Sequence, residues 1–138
     1  MAKRKQKSIA KLVEEAACIL QRIVRIKASD EYGYCQCVTC GKVDRWQDMQ
    51  GGHFLSRKWT AHKLLEEQIN PQCPGCNGPK GGAPVPYTLY MLDTYGREWV
   101  DNLEATKWET KKYGRPEIMG IIEDLKHYES MVRQDKGL

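Results

Sequence analysis

A chain of 138 residues, 41% apolar and 29% charged, has room for one domain with a modest core but not for two, and its composition excludes a disordered chain. No run approaches the roughly 18–20 apolar residues that a membrane span needs. The net charge of +4 is uneven: residues 1–63 carry thirteen Lys/Arg against six Asp/Glu, and residues 64–138 carry nine against twelve. Such a basic half suits a polyanionic partner, nucleic acid first, although a solvated surface accounts for the charge equally well.

Residues 1–7, MAKRKQK, read as a basic arm. No apolar signal core follows it, so no secretion signal is expected. From Ser8 to Ala28 the apolar residues Ile9, Leu12, Val13, Ala16, Ala17, Leu20, Ile23 and Val24 recur on one helical face, with Ser8 placed to cap the N-terminus. Cys18 falls close to that face and reads as a small core residue. ASDEYGY ends the helix. Residues 35–54 then spell a compact knuckle, CQCVTCG, followed by short strands that finish on QGGHF. Residues 55–65 read as a polar, basic loop, and LEEQIN as a second strand closed by Pro71. CPGCNGPKGGAPVP leaves room only for a very short helix. Two more helices are expected, Tyr87 to about Lys112 and Pro116 to about Arg133. The last carries Ile118, Ile121, Ile122, Leu125, Tyr128 and Val132 on one face, fit either to cover the core or to form an interface.

Cys37 and Cys40 form one Cys-x-x-Cys pair, Cys73 and Cys76 another, with thirty-two residues between the pairs. Two thiolate pairs on tight turns match a closed, tetrahedral, structural Zn²⁺ site. A redox pair would follow a strand in a βαβ pattern, and none is visible. Cys35 competes as a ligand, because CQC offers it two residues upstream; Cys37 is preferred because its spacing to Cys40 mirrors that of the other pair.

Taken alone, the polar residues of this region have bland readings. His53 behind Gly-Gly is a turn residue, Asn70 before Pro71 a turn former, and Asn77 a cap on a short helix. His62 sits in the basic loop within possible reach of phosphate, and His127 lies on the surface or at an interface of the last helix. Trp46, Trp99 and Trp108 read as core or interface residues. Trp59, beside Arg57 and Lys58, is the one with the makings of a stacking platform.

In chain order the pieces say more. CVTCGKVDRWQDMQGGHFLSRKW, then INPQCPGCNGPKGG, then a helix ending DTYG, resembles the NinG/Rap family of lambdoid-phage recombination proteins, and through it the HNH, or ββα-metal, nucleases. The resemblance is dense over about residues 20–100. It implies an α+β fold: a small zinc-stabilised HNH-like core at 35–82, flanked by the basic arm, the 8–28 helix and the helices of 83–138. It implies a metal-dependent endodeoxyribonuclease of the Holliday-junction resolvase type, acting on branched intermediates such as Holliday junctions and D-loops. The setting it implies is a phage-encoded or prophage-derived protein in the host cytoplasm.

On that resemblance His53 is the general base, a role suited to an imidazole near neutral pH. Asn70 orients His53 or holds a loop, and Asn77 offers its amide oxygen to a catalytic Mg²⁺, for which Mn²⁺ can substitute. Zinc is expected to bring the two strands together and make His53 and Asn70 neighbours. Gly52 stands where many HNH enzymes carry a second metal ligand; Asp48, Glu66 and Glu67 are the candidates to replace it. The two glycines are expected to let backbone and DNA approach closely. Lys3, Arg4, Lys5, Lys7, Arg57, Lys58 and Lys80 are assigned to phosphate contacts. Symmetric cutting of a four-way junction requires two sites, hence a homodimer. Two other readings stay open: a non-catalytic zinc-dependent DNA-binding module, and an HNH nicking or restriction endonuclease.

Overall fold

Helix α1 (Ile9–Lys27) starts where expected: the Ser8 side chain accepts a hydrogen bond from the Lys11 N–H at 3.1 Å, satisfying one of the orphan donors of the first turn. The computed structural model describes residues 5–138, so Lys3 and Arg4 lie outside the described residues. Leu12, Ala16, Ile19, Leu20, Ile23 and Ile26 turn inward along α1, and Ile118, Ile122 and Val132 of the C-terminal helix α5 (Arg115–Lys136) meet them. Each fully buried isoleucine contributes roughly 1.5–3 kcal/mol. Arg22 to Glu129 (2.8 Å) and Lys27 to the Tyr128 hydroxyl (2.7 Å) tie the same two helices at their edge.

Two small antiparallel sheets lie on this helical base. Strands β1 (Tyr34–Gln36) and β2 (Val43–Arg45) flank the cysteine knuckle, and a 3-10 turn at Trp46–Asp48 follows. Strands β3 (Gln50–His53) and β4 (Ile69–Gln72) pair with Gln50 opposite Gln72, Gly51 opposite Pro71, Gly52 opposite Asn70 and His53 opposite Ile69. The short helix α2 (Pro74–Asn77), then α3 (Pro84–Tyr95) and α4 (Arg97–Thr106), complete the chain before α5. The fold is therefore α+β.

The glycine pair explains how β3 sits. A Cβ on Gly51 would lie 2.7 Å from Gln21 side-chain carbons and 3.0 Å from the Gln21 Cα, so glycine lets the strand press directly onto α1. A Cβ on Gly52 would lie 1.8 Å from Gln72 Oε1. Both glycines are buried. The close approach expected to serve DNA serves helix α1 and the Gln72 side chain instead.

Four other expectations need correction. Pro71 does not close β4, which runs through it to Gln72. The Pro71 carbonyl accepts from Val38 N–H (3.0 Å), so the proline backbone faces away from β3 and its missing N–H costs no ladder bond. The single helix expected from Tyr87 to Lys112 is two helices, broken at Gly96 (φ 83°), and α3 begins three residues earlier, with Pro84 and Pro86 in a first turn where no N–H is needed. Cys18 is exposed, not part of the core. Lys7, placed in the free arm, instead pairs with Glu15 (3.0 Å), and its carbonyl accepts from Arg115 (2.7 Å).

Candidate functional site

The four cysteines of the matched pairs come together. The sulfur atoms of Cys37, Cys40, Cys73 and Cys76 all lie within 4.8 Å of one another, with Cys40 Sγ 3.7 Å from Cys73 Sγ. A tetrahedron with Zn–S arms of about 2.3 Å has edges of about 3.8 Å, so the cluster can hold a metal ion such as zinc. Each pair rides on a tight turn: Gly41 N–H donates to the Cys37 carbonyl (2.9 Å), and Cys73 caps α2, its sulfur accepting from Cys76 N–H (3.4 Å). Burial would raise the Cys37 thiol, but the Thr39 hydroxyl and backbone N–H donors outweigh it and lower it to about 6. The Lys42 N–H favours the Cys40 thiolate, yet burial and the three neighbouring sulfurs push Cys40 up to about 11. Four thiols this close cannot all ionise without a cation among them. Cys35, the competing ligand, lies outside the cluster and packs with Ser29 and Arg25.

Strand β3 ends on His53, which lines a cavity of about 370 Å³ together with Gln21, Arg25, Gln50, Arg57 and Asn77. Its Nε2 lies 2.9 Å from the Lys63 carbonyl oxygen. A carbonyl has no proton, so Nε2 is the donor, and in the neutral ring Nδ1 keeps the lone pair. Nδ1 is buried with no hydrogen-bond partner among the described residues. Burial holds the imidazole below its ordinary range; the Lys63 carbonyl opposes this, Arg57 and Lys63 add to it, and Glu14 opposes it.

Asn77 reaches the same cavity from α2, its Nδ2 donating to Gln50 Oε1 (2.7 Å). Asn70 does not. It pairs with Gly52 while His53 pairs with Ile69, so strand alternation sends the two side chains to opposite faces. Asn70 Nδ2 donates to the Glu67 carbonyl (3.2 Å) and to the Tyr87 hydroxyl (3.2 Å), and Tyr87 donates to the Gly52 carbonyl (2.6 Å). Of the two roles the resemblance offered, holding the turn before β4 matches these contacts. Asn70, Glu66 and Glu67 line a larger cavity of about 700 Å³, which contains neither His53 nor Asn77. Glu66 pairs with Lys27 (2.8 Å) and Asp48 with Arg45 (3.2 Å). No carboxylate lines the His53 cavity among the described residues; its oxygen donors are amide, hydroxyl and backbone groups.

Of the residues assigned to phosphate, Arg57 faces the His53 cavity but pairs with Glu14 (2.8 Å), as does Lys63. Lys5, Lys58 and Lys80 are exposed. His62 meets the Thr106 hydroxyl at 2.7 Å, and His127 is exposed on α5.

Two buried glutamines escaped the sequence reading. Gln68 accepts from Leu55 N–H (2.8 Å) and donates to the His62 carbonyl, fastening both ends of the 55–65 loop. Gln72 donates to the Thr39 hydroxyl (3.2 Å) and the Gly82 carbonyl (2.9 Å), joining the cysteine knuckle to the entry of α3. Their signal was the alternation Gln68, Asn70, Gln72, which reads as a solvent face; Tyr87 of α3 instead meets the Asn70 side chain and the Gln68 carbonyl.

Comparison with known proteins finds relatives encoded by phages. The chain is 29% identical over 101 residues to protein ninG of Escherichia phage lambda, a stretch that covers 68% of this chain and 49% of that protein. It is 31% identical over 70 residues to protein ninG of Escherichia phage 933W, covering 50% of this chain and 34% of the relative. Against protein ninG of Salmonella phage P22 it is 28% identical over 81 residues, covering 55% and 39%. The chain thus matches about half or less of the length of these curated relatives. No solved structure matches it. The sequence model of the family described as Bacteriophage Lambda NinG protein matches residues 1–135, and the chain therefore belongs to the NinG family.

Proposed function

We propose that the chain is an HNH-like endodeoxyribonuclease that hydrolyses phosphodiester bonds in branched DNA, with His53 as the general base. One observation carries this reading. The Lys63 carbonyl occupies Nε2 of His53 and leaves Nδ1 as an acceptor without a partner, in a residue that lines a cavity with Asn77. A base must be neutral, oriented and unshared, and burial together with the Arg57 and Lys63 charges favours the neutral ring. In the reaction His53 Nδ1, buried in the resting protein, takes a proton from the attacking water once DNA binding opens the cavity wall, and Arg57, released from Glu14, offers charge to the phosphate.

On this reading a bound Mg²⁺ would supply charge to offset that of the scissile phosphate. Asn77 and Gln50 would hold it through amide oxygens. These amides are uncharged, whereas Mg²⁺ sites usually draw on one or two carboxylates, so DNA phosphate would have to supply the anionic ligands. The zinc cluster stays structural, holding the knuckle against α2. A homodimer would supply the second site for paired cuts.

That no carboxylate among the described residues lines the cavity favours a second reading, a zinc-dependent DNA-binding module without catalysis. Cleavage assays on four-way, flap, linear duplex and single-stranded DNA, with and without Mg²⁺ or Mn²⁺, separate the two. The nuclease reading expects cutting of branched substrates and a loss of about a hundredfold or more in His53→Ala, with zinc content and DNA affinity kept. A wild-type protein that binds branched DNA and cuts it with neither metal establishes the binding module instead.

A further inference from the structure

Trp59 of the basic loop and Trp108, just past α4, meet edge to face with ring centroids 4.5 Å apart. Trp108 is 66% exposed, a large indole left in water by a chain that buries Trp46. Its setting is built rather than loose. Lys111 N–H donates to the Thr60 hydroxyl (3.0 Å), and His62 meets Thr106 at 2.7 Å, so both flanks of the pair are tied together. Cations surround the rings. Lys58 Nζ lies 4.8 Å from the Trp59 centroid, and Lys107 Nζ lies 5.8 Å and 5.2 Å from Trp59 and Trp108. Lys107 also pairs with Glu104 (2.8 Å) and Lys111 with Glu117 (3.2 Å); Lys58 and Lys112 have no carboxylate partner among the described residues.

We propose that Trp108, buttressed by Trp59 and flanked by Lys58 and Lys107, is a stacking surface for an unpaired nucleic-acid base. This inference rests on the nucleic-acid part of the proposed function and not on catalysis. An exposed indole with cations over its rings is complementary to a base with its phosphates, the base stacking on the Trp108 surface that Lys107 leaves open, and stacking is tolerant of sequence because every base has a π face. A paired duplex hides those faces, so the surface selects DNA in which bases are splayed or single-stranded. The loop that carries Trp59 also supplies the Lys63 carbonyl bound to His53, which sets the stacked base close in the chain to the cavity.

The test uses the full zinc-loaded chain without divalent cations, so that cutting plays no part. Affinities are measured at one salt concentration for a short single strand, a fully paired duplex, and the same duplex with a central unpaired loop. Trp108→Ala is expected to weaken binding to the single strand and the looped duplex by about fivefold to a hundredfold, while leaving the paired duplex within about twofold. Trp108→Phe is expected to retain most of the affinity, and unpaired DNA should quench tryptophan fluorescence in the wild type more than in Trp108→Phe. Unchanged single-strand affinity in Trp108→Ala overturns the proposal, as does an equal loss on all three DNAs, which would mark a purely electrostatic contact. Failure of the wild type to bind any of the three overturns it too, together with the DNA reading. Binding with the expected selectivity but without cleavage leaves it standing and removes only the nuclease.

Discussion

His53 is set by its neighbours as much as by its own chemistry. Burial favours the neutral ring, the Lys63 carbonyl fixes which nitrogen holds the proton, and Arg57 and Lys63 resist a second positive charge beside them. The sign follows: protonation occurs only below the ordinary imidazole value of about 6.5. If His53 is the base, the rate should hold steady through neutrality and fall on the acid side with a midpoint below that value. A pH–rate profile with its acidic midpoint above 6.5 contradicts this assignment. At this scale the sequence was informative where chemistry is rare. A histidine behind two glycines and four cysteines in matched pairs stand out in a short chain, whereas Gln68 and Gln72 do not, because nothing in a glutamine signals burial until the side chain that covers it is known.

At the scale of elements, the hairpin depends on contact between backbones. Gly51 lets β3 lie against the Gln21 turn of α1, with only 3.0 Å from its virtual Cβ to the helix Cα. Gly51→Ala should therefore cost about 1–3 kcal/mol, read as a lower denaturant midpoint with an unchanged slope, because a helix backbone cannot give way as a side chain can. A midpoint equal to wild type would show that the strand shifts at no cost. Helix α1 was legible because its apolar period and its serine cap agree. The join between α3 and α4 was legible only in the resemblance, whose helix ends DTYG, and not in the periodicity. Apolar residues recur at helical spacing on both sides of Gly96, and only the positive φ of that one residue, invisible to periodicity, divides them.

At the scale of the molecule, the cysteine cluster links two segments that local structure would leave apart. Cys37 and Cys40 follow β1, Cys73 and Cys76 open α2, and the hairpin bearing His53 lies between them in sequence. Metal binding in such a site is coupled to folding. The purified chain should carry about one zinc. Cys73→Ser should lose both zinc and a large part of its stability, and Cys35→Ser should keep the full zinc content, since that sulfur lies outside the cluster. Elemental analysis together with thermal melts checks all three; a folded, zinc-free wild type contradicts the first. The knuckle spacing made this centre readable in advance. The packing of α5 along α1 was readable only as an apolar face without a destination, because a single amphipathic helix serves a core and an interface equally well.

The space above Gly52 is filled by the side chain of Gln72, so the two positions do not vary independently. A carboxylate at 52, which the resemblance to HNH enzymes would place there, meets the Gln72 side chain while the glutamine stays. Gln72→Ser removes the obstruction but also gives up the bonds to Thr39 and Gly82. The two changes should show epistasis: Gly52→Asp with Gln72→Ser is expected to cost less stability than the sum of the single variants, measured as a double-mutant cycle, and strict additivity would refute the coupling. A lineage acquiring that ligand would then lose less stability at the second substitution than that substitution costs alone.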